Sequence, residues 1–346
     1  MKTKLTKQEK NWILYDVGNS AFTLLAATIL PIYFNYIAGK QGLSDVQYLA
    51  YWGYAVSIAT LLTALAGPVF GTVADTKGYK KPVFTIALGI GAIASVALGF
   101  AKYWLAFLVV FVIAKVGYSV TLVFYDSMLV DVTSEDRMDE VSSQGYAWGY
   151  IGSCVPFVIC LLVVLNAGKI GITMEIAMMV SFVIITVWWV IMTLPLLKTY
   201  HQKYYVEKKQ HAFSESFKRI GITLKNVKKE KKVFLFLLAF FFYIDGVYTI
   251  IDMATAYGSA LGLSSTGLLL ALLLTQIVAF PFAIIFGRLA QKYSAEKLIT
   301  VCIVAYLGVA IFAIFLHYQW QFWVLAVWVG MFQGGVQALS RSYFTK

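Results

Sequence analysis

Three charged side chains lie inside two long apolar runs of the sequence. Lys115 lies in one run, and Asp245 and Asp252 lie in the other. A charge near the centre of a bilayer costs roughly 2.5–3.5 kcal/mol on insertion scales, so such residues usually face a bundle interior or a watery cavity. A lysine there can hold a carboxylate, and an aspartate can hold an ammonium group or a proton. The pattern predicts a polar pathway through an otherwise apolar protein.

The elements that must position these charges are membrane spans. Hydrophobic residues make up 60% of the 346 residues and charged residues only 13%, against about 45–50% and about 25% in soluble domains. Each span needs about 20 apolar residues. We predict ten spans, at residues 13–38, 49–71, 83–101, 104–130, 143–166, 172–197, 233–257, 265–287, 297–316 and 322–343. The predicted fold class is an all-α polytopic membrane protein.

The net charge of +11 follows the loops between the spans. Basic residues crowd the N-terminus and the loops after spans two, six and eight, whereas the opposite loops carry only Lys40, Lys102 and Lys169. Cytoplasmic loops carry such an excess. We therefore expect a cytoplasmic N-terminus, a lipid bilayer as the surroundings, and no nucleic-acid partner.

A basic stretch divides the chain into two parts. Residues 1–197 are predicted to form a six-helix bundle, residues 198–232 a cytoplasmic linker, and residues 233–346 a four-span bundle. An apolar stripe in the linker favours a helix lying on the anionic inner leaflet; a solvated linker is the alternative. The stripe consists of Phe213, Phe217, Ile220, Leu224 and Val227.

The two parts echo each other weakly. The segment 15–18 reads Tyr-Asp-Val-Gly, and the segment 243–246 reads Tyr-Ile-Asp-Gly. Repeated halves are a known transporter plan. On that plan the second part should also hold six spans. We therefore expect the chain to be a fragment that lacks the last two.

No pattern in the sequence predicts an enzyme or a cofactor. The three cysteines lie in apolar runs without a C-x-x-C pair, and the three histidines are scattered. This arrangement predicts neither a zinc site nor a disulfide framework. An H-E-x-x-H cluster and a G-x-x-x-x-G-K-[ST] loop are both absent from the sequence, so we expect neither metalloprotease chemistry nor direct ATP drive.

The loop after span two carries a recognisable motif. Residues 71–81 read G-T-V-A-D-T-K-G-Y-K-K, which resembles the major facilitator superfamily signature G-x-x-x-D-x-x-G-x-[RK]-[RK]. A chance basic turn is the alternative. The signature implies a gating loop in which the first glycine allows close helix approach and the second a tight turn. Its residues here are Gly71, Asp75, Gly78, Lys80 and Lys81.

Three further stretches resemble one branch of that superfamily, the vacuole-effluxer-like proteins. They are W-x-x-Y-D-x-x-N-S-A-F at 12–22, S-S-x-G-x-A-x-G-Y-x-G at 142–152, and G-G-V-Q-A-L-S-R-S at 334–342. One departure concerns charge, because Asp126 stands where the branch pattern has Asn.

The resemblance implies a secondary transporter in a bacterial plasma membrane. It implies that a small solute crosses by alternating access, either passively or coupled to protons. The best-supported cargo in the branch is an amino acid leaving the vacuole. A membrane receptor that binds a solute without moving it is the alternative.

In the superfamily, spans one, four, seven and ten surround the central cavity, and the polar residues of this sequence concentrate there. Residues three, four or seven apart share a helix face. The candidate pathway residues are Asp16, Asn19, Lys115, Tyr118, Asp126, Asp245, Tyr248, Asp252, Gln333 and Gln337.

Depth suggests a central ion pair. Lys115 lies roughly 16 Å into span four and Asp245 roughly 18 Å into span seven at 1.5 Å per residue, near the midplane of a core about 30 Å thick. We hypothesise that Lys115 and Asp245 pair across the two parts and release each other to bind a zwitterion. In that hypothesis Lys115 takes a carboxylate, and Asp245 or Asp252 takes an ammonium group.

Structural roles remain open for several of these residues. Lys115 can belong to a pair that only fixes packing, Asp252 can meet water near the outer end of its span, and Asp16 can serve helix-end packing. The glutamines can hydrogen-bond between helices and the tyrosines can be packing groups. The spacing Gly-x-x-x-Gly at 145–149 and at 67–71 predicts close helix contacts.

Overall fold

The computed structural model describes residues 4–207 and 231–345. Ten helices of this part are long and apolar enough to cross a membrane. We label them α1 to α10. They are α1 (Lys7–Ala27 and Ile29–Lys40), α2 (Asp45–Ala74), α3 (Lys80–Ala97), α4 (Trp104–Ser127), α5 (Met138–Leu165), α6 (Met174–Thr199), α7 (Lys231–Ala260), α8 (Ser265–Leu289), α9 (Ala295–Ile314) and α10 (Gln319–Thr345).

These helices confirm the ten predicted spans and the all-α membrane fold. Several extend past the predicted bounds; α2 and α7 each have 30 residues, which corresponds to about 45 Å against a core of about 30 Å. We call the membrane side that holds the N-terminus the inner side and the opposite side the outer side. The predicted interfacial helix at 213–227 lies outside the described residues.

The first helix is interrupted at Thr28, between Lys7–Ala27 and Ile29–Lys40. The Thr28 hydroxyl donates to the Leu24 carbonyl within the preceding turn. Pro31 follows three residues later and has no backbone N–H to donate to the carbonyl of Ala27. The break in α1 therefore coincides with a missing backbone hydrogen bond.

Helices α1–α6, the first half, share one buried core that is rich in aromatic side chains. Trp12, Trp52 and Trp189 are fully buried in the described structure. Glycines permit the tightest contact between α3 and α4: a Cβ on Gly117 would lie 2.8 Å from the Cα of Gly91. Real Cβ atoms do not approach this closely, so a side chain at Gly117 would force the helices apart.

Helices α7–α10, the second half, contribute a separate core around α8, α9 and α10. A small third cluster joins the halves, where Ala147 and Tyr150 of α5 meet Ala279 and Ala283 of α8. Small side chains at such a contact let the helix backbones approach closely. The two halves therefore meet through side chains of α5 and α8 as well as through the charged residues described below.

The predicted glycine contact at 145–149 is confirmed. A Cβ on Gly145 would lie 2.3 Å from Asp16 Oδ2, and one on Gly149 would lie 2.6 Å from Ser20 Oγ, so α5 packs directly against α1. The predicted contact at 67–71 is wrong. A Cβ on Gly71 would meet no atom within 4 Å, and one on Gly67 would lie 3.8 Å from Val123 Cγ2.

Candidate functional site

A buried arginine links the two halves near the inner side. Arg341 lies one turn before the end of α10, with 4% of its side chain exposed. Its Nη1 and Nη2 both lie 3.1 Å from Asp16 Oδ2 on α1. Its Nε donates to Ser142 Oγ on α5 at 2.8 Å, and Nη2 donates to the Ser142 carbonyl at 2.8 Å. The charge is thus paired and hydrogen-bonded, as burial requires.

Aromatic rings enclose the guanidinium. The Cζ of Arg341 lies 4.6 Å from the ring centroid of Trp12, 5.4 Å from that of Tyr125 and 4.1 Å from that of Tyr146. Trp12 stacks on Tyr125 with centroids 4.3 Å apart. A planar guanidinium attracts ring faces in a way that a compact ammonium does not match. These ring contacts therefore suit the flat guanidinium of Arg341.

A second carboxylate reaches the same arginine. Asp126 Oδ1 on α4 lies 3.5 Å from Arg341 Nη1, and 44% of the Asp126 side chain is exposed. Asp16, by contrast, is 4% exposed and also accepts from the Asn19 amide at 3.2 Å. The structure thus brings together the predicted pathway residues Asp16, Asn19 and Asp126. The position of Asp16 goes beyond helix-end packing, since its partner belongs to the other half.

Sequence reasoning missed Arg341 as a site residue. Arg341 belongs to the motif at 334–342, whereas the predicted pathway residues do not include it. The signal was present, because the predicted tenth span runs to residue 343 and a charge inside a span is expensive. Counting charges to the end of every span would have found it.

A second ion pair links the halves at a different depth. Lys115 Nζ on α4 lies 2.6 Å from Asp252 Oδ1 on α7, with 13% and 9% of the two side chains exposed. The indole of Trp52 on α2 donates to the Asp252 carbonyl at 3.4 Å. The predicted pairing of Lys115 with Asp245 is wrong, since Asp245 is an exposed residue two turns earlier on α7. Asp252 faces the protein and does not simply meet water.

Helix direction explains why Lys115 pairs with Asp252 and not with Asp245 as predicted. Side chains on a helix lean toward its N-terminus. Helix α4 begins on the outer side, so Lys115 leans outward, whereas α7 begins on the inner side, so Asp252 leans inward. The seven residues between Asp245 and Asp252 span about 10 Å. The depths predicted from the rise per residue are those of the Cα atoms, and they do not include this lean of the side chains.

Tyrosine and glutamine side chains lie near the two ion pairs. Tyr248 of α7 is 41% exposed and lies one helical turn before Asp252. The Tyr118 hydroxyl hydrogen-bonds the Thr23 hydroxyl at 2.5 Å.

The two predicted glutamines of α10 are buried. Gln337 accepts from the Tyr150 hydroxyl of α5 at 2.6 Å, so it hydrogen-bonds between helices of the two halves. Gln333 is 5% exposed. The interhelical alternative thus holds for Gln337.

The predicted gating loop is tied to a buried carboxylate. Lys80 Nζ lies 3.2 Å from Asp131 Oδ2, and the two side chains are 3% and 0% exposed. Gly78 has a φ of +78°, which confirms the predicted tight turn. Lys81 is exposed. The two lysines of the motif therefore differ, since one is a buried structural group and the other faces outward.

The same carboxylate holds the first residues after α6. Asp131 Oδ1 accepts from the backbone N–H groups of Lys203 at 2.9 Å and Tyr204 at 3.0 Å. The Tyr200 hydroxyl donates to Oδ2; burial and this bond raise the pKa of Tyr200. The Val206 N–H donates to the Asp75 carbonyl at 2.8 Å. Residues 200–206, which directly follow α6, are therefore tied to the loop and to Asp131.

The ten apolar helices of the described residues define a multi-pass membrane protein, and its relatives place it among the transporters of the major facilitator superfamily. Residues 5–137 and 130–346 match the model of the family described as vacuole effluxer Atg22 like. The chain belongs to that family. It is 44% identical to an uncharacterized MFS-type transporter, YxiO, of Bacillus subtilis (strain 168), over 100% of this chain and 82% of the relative.

A fungal relative and solved structures agree with this assignment. Autophagy-related protein 22 of Eremothecium gossypii is 24% identical over 92% of this chain and 68% of its own length. The inward-open xylose transporter XylE of E. coli superposes with a TM-score of 0.66 at 12% identity, covering 97% and 88% of the two chains. The human organic anion transporter MFSD10 gives 0.63 at 13% identity, covering 98% and 85%. These structures share the fold.

Proposed function

We propose that the chain is a secondary transporter that moves a zwitterionic small solute of the amino-acid class by alternating access. The observation that supports this most is that ion pairs among the described residues link the halves at two different depths. Arg341 with Asp16 lies toward the inner side, and Lys115 with Asp252 lies toward the outer side. Rocking of one half against the other can break one pair while the other holds.

Lys115 and Asp252 are the groups proposed to recognise the solute. Charge-assisted hydrogen bonds to a carboxylate and to an ammonium group can replace the bond that the two residues make with each other. The exchange conserves charge, so neither side chain is left buried and unpaired, which would be costly. A zwitterion meets both requirements, whereas a neutral sugar supplies no charge for either residue.

Flux into proteoliposomes tests this proposal. The purified chain is assayed with a panel of radiolabelled amino acids, and Lys115→Ala and Asp252→Asn are compared with Lys40→Ala. Lys40 pairs with Glu175 at 2.8 Å inside the first half, with 56% of its side chain exposed, so its removal should leave flux unchanged. The two site variants should abolish flux. Wild-type rates for both variants refute the recognition step, and binding without flux in the wild type favours a receptor.

The proposed location is a bacterial plasma membrane with the N-terminus in the cytoplasm. The bacterial relative and the loop charges support it. Single cysteines at the exposed Lys81 and Lys102 are treated with a membrane-impermeant maleimide on intact cells. The native cysteines are buried. The Lys102→Cys variant should react and the Lys81→Cys variant should not; the reverse pattern inverts the orientation.

A further inference from the structure

The cluster near the inner side, which we call the inner cluster, contains one cation, Arg341, and two carboxylates, Asp16 and Asp126. Arg341 Nη1 lies 3.1 Å from Asp16 Oδ2 and 3.5 Å from Asp126 Oδ1. Arginine stays protonated in proteins. With every group ionised, the cluster carries one excess negative charge inside a membrane span. Such an excess favours binding of a cation.

The two carboxylates are held differently. Asp16 is buried, contacts two guanidinium nitrogens and accepts from Asn19. Asp126 makes a single contact of 3.5 Å with the guanidinium and is 44% exposed. Protonation of Asp126 leaves Arg341 and Asp16 as a neutral pair. Protonation of Asp16 would instead remove the closer partner of a buried arginine, which costs more.

The geometry favours a proton over a metal ion. A metal ion on Asp126 would lie beside the Arg341 guanidinium and would be repelled by it. A proton binds covalently to one carboxylate oxygen and needs no further ligands. We propose that Asp126 is a proton-binding site whose occupation weakens the inner contact between α4 and α10. This inference rests on the proposed alternating access of the two halves.

The proton reaction is simple: one proton from water adds to the Asp126 carboxylate and gives a neutral carboxylic acid. The ionised form attracts Arg341 from α4, in addition to the attraction by Asp16 from α1. The neutral form loses that attraction, so one of two charged ties between the first half and α10 is removed. Opening of the inner side should therefore become easier as pH falls.

The remaining groups around Asp126 are one carboxylate, one arginine and several tyrosines. They come from each helix that contributes to the cluster: Tyr15 and Asp16 of α1, Tyr125 of α4, Tyr146 of α5, Tyr248 of α7 and Arg341 of α10. Tyrosine and arginine ordinarily keep their protons between about pH 5 and about pH 8. Asp16 is the closer of the two carboxylates to Arg341 Nη1, at 3.1 Å against 3.5 Å for Asp126. A pH response in that range is therefore assigned to Asp126.

The test measures distance, so it needs no known solute. Spin labels are placed at the exposed inner positions Lys81 and Lys292, one in each half, and their separation is measured by pulsed electron resonance in lipid nanodiscs. The wild type should shift to longer distances from about pH 8 to about pH 5. Asp126→Asn should show the long distances at both values, and Asp126→Glu should keep the response. Asp245→Asn, an exposed carboxyl on α7, is the matched control and should titrate like the wild type.

If the Asp126→Asn variant does not fold, a second measurement on the wild type still tests the proton site. Infrared difference spectra of the wild type between the two pH values should show the carbonyl stretch of one protonated aspartic acid. A wild type without pH-dependent distance or without this band overturns the proton site, as does an Asp126→Asn variant that titrates normally. Failure of all amino acids in the flux assay refutes the proposed function instead and does not alter the distance result.

Discussion

Charged residues at two depths follow the same rule but have different surroundings. Each cation leans from one half toward a carboxylate of the other half. Arg341 has Ser142 and three aromatic rings around it in addition to Asp16, whereas Lys115 has one close carboxylate on Asp252. The planar arginine is locked by many contacts, while a lysine ammonium exchanges partners readily. The lysine pair is thus the better place for a transient ligand.

The arginine pair should show strong coupling in a double-mutant cycle. Arg341→Gln leaves the buried Asp16 carboxylate without its cation, so we expect a loss of about 3–5 kcal/mol in the free energy of unfolding. The double variant Asp16→Asn with Arg341→Gln should lose much less than the two single variants together. Unfolding by sodium dodecyl sulfate in mixed micelles measures all four proteins. Additive losses would contradict direct pairing.

At the scale of elements, α5 approaches α1 more closely than side chains allow. Gly145, Gly149 and Gly152 face α1, and a Cβ on any of them would lie within 2.6 Å of an atom of that helix. Ser142 lies one turn before Gly145 on α5, so the close glycine contact also places Ser142 beside the Arg341 guanidinium. The glycines thus position the charged site as well as packing the bundle.

A methyl group at this crossing should be costly. In Gly145→Ala the new Cβ would displace the Asp16 carboxylate, and we expect a loss of about 1–3 kcal/mol from overpacking. Gly89→Ala on α3 is the matched control, because a Cβ there meets nothing within 4 Å. It should be neutral or stabilise the helix by up to about 1 kcal/mol. The same micelle unfolding assay measures both, and equal stability of the two variants would contradict the close contact.

Asp131 should hold the start of the linker in place. Asp131→Ala removes the acceptor of the Lys203 and Tyr204 amides, and hydrogen bonds to charged groups contribute about 1.5–3 kcal/mol. Hydrogen exchange at these two amides should therefore accelerate by about tenfold or more. Glu207→Gln is the control, since its pair with Lys77 is exposed and contributes little. Unchanged hydrogen exchange at these two amides in Asp131→Ala would contradict the prediction that Asp131 holds the start of the linker.

At the scale of the whole molecule, the sequence predicted what depends on length and composition. The ten apolar stretches are long enough to cross a bilayer, so they were predicted as spans. The glycine at position 78 was predicted to permit a tight turn. The partners of charges depended on how helices face each other, which one sequence does not contain. The echo between segments 15–18 and 243–246 is instructive: Asp16 is buried against Arg341, whereas Asp245 is exposed. Similar sequence segments in the two halves do not ensure similar neighbours, because α1, unlike α7, is enclosed by α5 and α6.

Alternating access requires the outer contact between the halves to open and close. The Asn35 amide on α1 donates to the Ser259 hydroxyl on α7 at 3.0 Å. The Asn11 amide donates to the Thr199 hydroxyl at 2.9 Å, but both residues belong to the first half. The two pairs have the same chemistry and nearly the same length, so they form a matched test of relative motion.

Cysteine pairs at these positions should separate motion from simple stiffening. Oxidation of Asn35→Cys with Ser259→Cys should stop flux and reduction should restore it, because a disulfide fixes the two Cα atoms within about 7 Å. Oxidation of Asn11→Cys with Thr199→Cys should leave flux unchanged, since the six helices of the first half move as one body in the proposed cycle. Flux in proteoliposomes before and after oxidation measures both. Full flux through the oxidised Asn35–Ser259 pair would mean that solute crosses without separation of the halves at the outer side.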